Sequence, residues 1–152
     1  MSRLIKLFFV LFVLSGCAYE PVLLKKNYNF YFTKVESEGE KEINKVIKQI
    51  FTENTKIESI NNFEIFFSSK LNKDIVASNK KGDPTIYKIN ISLNYKLKND
   101  NAIIFENEIL KQVTFNNIDD KFELLKYEEN IVENLSKRFA EDILISVATL
   151  TK

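Results

Sequence analysis

The chain has no histidine and no tryptophan, and only one cysteine, two prolines and three glycines in 152 residues. Each shortage removes a class of chemistry. Without histidine there is no Ser-His or Cys-His pair to activate a nucleophile. A zinc or iron site would need carboxylates almost alone, a poor donor set for either metal. One cysteine excludes an internal disulfide. The glycines stand at positions 16, 39 and 82, too scattered for a loop that cradles phosphate. Two pairs of adjacent carboxylates remain, Asp119-Asp120 and Glu128-Glu129. Neighbours at i and i+1 do not share a helix face, so both pairs read as solvated charge rather than an acid/base dyad. The expectation is a protein that is not an enzyme and carries no cofactor and no metal.

A strong charge of either sign is also missing. Twenty-two basic and 21 acidic side chains give a formal charge of +1. That balance offers no general attraction to nucleic acid, so none is expected as a partner. What is present suits a folded body. Hydrophobic residues make up 45% of the chain and charged residues 28%, with 13 Phe and six Tyr. The length suits one domain.

The start of the chain has its own pattern. Arg3 and Lys6 precede LFFVLFVL, residues 7–14. This apolar run is too short to span a bilayer as a helix, which takes about 20 residues. A positive end, an apolar stretch and small residues behind it make a secretory signal. Cys17 follows directly. Leu14-Ser15-Gly16-Cys17 resembles the lipobox of bacterial lipoproteins, in which cleavage leaves the cysteine as a lipid-bearing first residue. On that reading residues 1–16 are a lipoprotein signal peptide and 17–27 a lipidated tether. Residues 28–152 are a single domain. Loss of Arg3 and Lys6 leaves 20 basic against 21 acidic side chains. Lipoproteins of this kind held at the inner membrane often carry Asp after the cysteine, so by that resemblance Ala18 leans towards the outer membrane.

Hydrophobic periodicity orders the rest. Tyr28, Phe30 and Phe32 alternate with polar neighbours, a strand. Ser37-Glu38-Gly39-Glu40 reads as a capping box. The helix behind it carries Ile43, Val46, Ile47, Ile50 and Phe51 on one face. A second strand starts at Phe63 and runs towards Ala77. Ser78 to Pro84 is a turn by composition. Tyr87 to Leu97 alternate without a miss, the pattern of an antiparallel strand with one wetted face. Lys98 to Asn101 is a hairpin turn, and a fourth strand follows from Ile103 to about Phe115. Its alternation breaks where Ile109 and Leu110 stand side by side, which suggests a bulge there. From Lys121 a long helix carries Val132, Leu135, Phe139, Ile143, Val147 and Leu150 as a stripe, widened by Leu124 and Ile131. The order β-α-β-β-β-α implies an α+β two-layer sandwich. Its sheet has four strands, mostly antiparallel, with two helices on one face.

One polar feature stands out. Lys80-Lys81-Gly82-Asp83 places two ammonium groups on a loop tip, where they can meet phosphate or carboxylate. A solubilising turn explains the same residues, since lysines are mostly exposed. Lys121 is weaker, because a cation opposes the dipole at a helix start.

The layout resembles the LptE family of lipopolysaccharide-assembly lipoproteins, in its small alphaproteobacterial form. The lipobox and the mature start Cys17-Ala18-Tyr19-Glu20-Pro21 carry the resemblance. So do the Lys81-Gly82-Asp83-Pro84 turn, the amphipathic third strand and the final helix ending Val147-Ala148-Thr149-Leu150. Ala18 departs from the family's glycine, and Val22-Leu23 replaces its Leu-Tyr. The resemblance implies lipid on Cys17 and attachment to the periplasmic side of the outer membrane. It implies a place as a plug inside an LptD-type β-barrel, and lipopolysaccharide binding through basic loop-tip residues, here Lys80 and Lys81. An accessory lipoprotein of another envelope assembly or secretion complex is the alternative.

Overall fold

The computed structural model describes residues 28–55, 59–100 and 102–151. The signal segment, the tether and Cys17 lie outside them. The order is β1 (Phe30–Gly39), α1 (Lys41–Asn54), β2 (Asn61–Ser78), β3 (Pro84–Asn99), β4 (Ala102–Asn116) and α2 (Lys121–Leu150). The four strands form one sheet in the order β1-β2-β3-β4. β1 and β2 are parallel, which requires a crossover, and α1 supplies it. The other two pairs are antiparallel hairpins. The expected α+β sandwich is therefore the observed one.

One face of the sheet holds the core. Phe63, Ile65 and Phe67 of β2 and Ile89, Ile91, Leu93, Tyr95 and Leu97 of β3 are buried at alternate positions. They join Ile43, Ile47 and Phe51 of α1 and Leu135, Phe139, Ile143 and Val147 of α2 in a single cluster. Both helices thus cover the same face. The outer face carries Glu64, Lys70, Asn90, Lys96, Lys98 and their neighbours, as a wetted face should.

Four local expectations need correction. No capping box forms, because β1 extends through Gly39 and takes up Ser37. The helix cap is Glu40, whose side chain makes no cap bond. Ser69 and Asn44 replace it. The Glu40 N–H donates to Ser69 Oγ (3.0 Å), that hydroxyl donates to Asn44 Oδ1 (2.7 Å), and Asn44 Nδ2 donates to the Glu38 carbonyl (3.0 Å). Secondly, Tyr28 precedes the strand and meets Thr55 in an isolated parallel bridge. Thirdly, the β4 bulge is not at Ile109-Leu110. Ladder pairing is continuous from Phe105 to Asn116, and the shift falls at Ile104. Ile109 faces in, Leu110 faces out and is exposed, and the apparent break arises from the inward-register polar residues Asn107 and Lys111. Finally, Leu150 is exposed, so the buried stripe of α2 ends at Val147.

Candidate functional site

The two ends of the sheet differ in character. Chain direction places Tyr28, the end of α1, the start of β2 and the β3–β4 turn at one end, where the N-terminal segment joins the body. The Tyr28 phenol is pushed above its ordinary pKa by burial and then by the Glu141 carboxylate, which puts the second half of α2 near this end. β2 runs away from it for 18 residues, roughly 55 Å of contour at about 3.3 Å per residue. At the far end β2 turns into β3.

The turn is built on Asn79. Its Oδ1 accepts from the Lys81 N–H (2.8 Å) and the Asp83 N–H (3.0 Å). Its Nδ2 donates to Asp83 Oδ2 (3.0 Å), and its backbone N–H donates to the Asp83 carbonyl (2.9 Å). Gly82 has φ +89°, a left-handed value that favours glycine. Asparagine as acceptor for the loop amides is a recurrent turn device. It leaves Lys80 and Lys81 side by side and exposed on an ordered tip. The structure therefore brings together the two lysines singled out from sequence. They stand at the opposite end of the sheet from Tyr28.

Other sequence candidates take structural roles. Asp120 caps α2, accepting from the N–H groups of Phe122 (2.8 Å) and Glu123 (3.0 Å). Glu128 pairs with Lys73, while Glu129 is exposed, so their side chains part as expected for adjacent helix residues. Lys121 is exposed at the first turn of α2. Among the described residues no three His, Cys, Asp or Glu side chains gather as a metal would require. No described helix is long and apolar enough to cross a membrane.

A second feature escaped the sequence. α1 and α2 leave a cleft of about 1000 Å³ over the far half of the sheet. Leu71, Ile89, Val46, Leu125 and Val132 line it with apolar surface. Lys73 crosses it to Glu128 and lies 4.2 Å from the centre of the Tyr87 ring. The only foreshadowing lay in Ser69, a polar residue in a core register between Phe67 and Leu71. A polar group there needs a partner, and its partner Asn44 marks the corner where β1 leaves the sheet.

Three solved structures like this one share a theme. Rare lipoprotein B from Shewanella oneidensis aligns with TM-score 0.60 at 13% identity, over 78% of this chain and 96% of that one. An uncharacterized lipoprotein B from Nitrosomonas europaea aligns with TM-score 0.62 at 17% identity, over 84% and 90%. A minor lipoprotein from Acinetobacter baumannii aligns with TM-score 0.52 at 10% identity, over 83% and 95%. This chain shares their fold. The likeness spans nearly the whole of each of those chains. No protein-family model and no curated protein matches the sequence.

Proposed function

We propose that this protein is a non-enzymatic lipoprotein of the LptE type. Lipid on Cys17 anchors it to the periplasmic side of the outer membrane, and the folded body assembles with an LptD-type β-barrel. There it assists in placing lipopolysaccharide in the outer leaflet. The observation that carries this reading is the placement of Lys80 and Lys81. They form an ordered cationic tip at the end of the sheet remote from Tyr28. A body tethered at one end can present such a tip to an anionic glycolipid at the other. Paired ammonium groups suit the phosphates of lipopolysaccharide, to which lysine binds as a point charge. The lipobox and the fold shared with lipoproteins support the anchor. The polar outer sheet face suits contact with a barrel lumen.

The double variant Lys80→Glu/Lys81→Glu tests the tip. Both side chains are exposed, so thermal stability should move by no more than about 0.5 kcal/mol. Binding of lipopolysaccharide to the purified full chain should weaken by about tenfold or more, as two charge reversals at about 1 kcal/mol each would give. Unchanged binding would remove the tip from the site.

A further inference from the structure

β1 occupies only half of the edge that β2 offers it. Their pairing ends at Gly39 opposite Ser69, where the chain turns into α1. β2 continues for nine residues, Lys70–Ser78, paired with β3 on one side only. Among the described residues, the backbone N–H and C=O groups on the other side have no strand partner. Long free edges are normally blunted. β4, the edge strand on the far side of the sheet, has such protection: a bulge at Ile104 and an inward lysine, Lys111, held by Asp142. The free part of β2 has the same devices, but its bulge, at Val76, sits next to the turn and leaves Lys70–Ile75 in regular register with β3. Its Lys73 is drawn inward onto Glu128, and Ile75 and Val76 are 59% and 52% exposed.

The cleft between the helices opens along the same half-edge. Leu71 and Lys73 of β2 line it, as do Gly39 and Glu40, where β1 departs. A strand laid in the lane that β1 vacates would bond to Lys70–Ser78. Every second side chain would then enter the cleft. Its volume is that of a ligand pocket, and its floor is apolar. Five glutamates and three lysines among its lining residues leave it two charges negative.

We propose that this half-edge and cleft form a docking site for an extended segment of a separate polypeptide, which adds as a fifth strand. Such strand addition takes affinity from main-chain bonds and specificity from alternate side-chain pockets. The chemistry of the segment follows: apolar residues at alternate positions, flanked by basic ones. This chain's own Val22-Leu23-Leu24-Lys25-Lys26 has that composition but cannot reach in cis. It lies within about 20 Å of Tyr28 even when fully extended. The free edge begins a full strand length beyond Phe30, about 30 Å away. The site is independent of the lipid anchor and of the lysine tip.

The test uses the full chain in detergent and a capped Lys-Val-Thr-Val-Thr-Val-Lys peptide, with a Glu-ended peptide of the same core as control. Hydrogen exchange should slow at amides within residues 70–78 when the Lys-ended peptide is added, and less so with the Glu-ended one. The rim variant Glu129→Lys should weaken the Lys-ended peptide about threefold and narrow the difference between the two. Protection confined to β4, or binding without slowed exchange in residues 70–78, would overturn the proposal. So would concentration-dependent protection of residues 70–78 with no peptide present, which would make a second copy of this chain the occupant.

Discussion

Gly39 shows how much one residue can decide here. Its φ is +92°, and a Cβ placed on it would stand 1.9 Å from the Ser69 carbonyl oxygen. No side chain fits, because backbone cannot retreat as a flexible side chain can. Gly39→Ala should therefore cost more than about 2 kcal/mol and open the corner where β1 passes into α1, read as a lower midpoint in urea. A midpoint equal to wild type would mean that the corner tolerates a different path. The sequence already showed the glycine, but as the third residue of a capping box. Ser37-x-x-Glu40 has the right types at the right spacing. What it could not show is that Ser37 lies in a strand register opposite Phe67, with the cap bond supplied from 29 residues away by Ser69. On the proposed reading, Cys17 is the other decisive residue. Cys17→Ser should abolish fatty-acid labelling in cells, and a labelled variant would place the lipid elsewhere.

At the scale of elements, legibility followed burial. β3 is buried on one face along most of its length, and its alternation from Tyr87 to Leu97 was readable throughout. α1 was readable because Ile43, Ile47 and Phe51 are all deeply buried. β4 is an edge strand lightly covered by α2, so polar residues at its inward positions are tolerated and its period looked broken. The far end of β2 is an edge too, and the cleft beside it depends on α1, α2 and β2 together. No local pattern encodes a gap between elements distant in sequence. α2 supplies the sharpest test of packing. Phe139 is fully buried between helix and sheet. Phe139→Asp should unfold the domain, since an unpaired charge there costs several kcal/mol. A cooperative, native-like melt would take α2 out of the core.

For the whole molecule, the account rests on polarity between its ends. The body joins its N-terminal segment at one end of the sheet and carries two lysines on an ordered turn at the other. Between them lies one core under one face, with the outer face left polar. On the proposed reading, such an arrangement serves contact rather than bond-making. The fold class was legible in the order of elements, and the tip in four residues, Lys80 to Asp83. The proposed partner rests on resemblance alone, because a wetted sheet face looks the same whether water or a barrel wall lies against it. The most direct test is therefore the composition of the complex recovered with an affinity-tagged full chain from detergent-extracted outer membranes. The account expects a β-barrel of the LptD type in equal amount, with lipopolysaccharide bound. Recovery of the chain from the cytoplasmic membrane, or from the outer membrane without any such barrel, would contradict it.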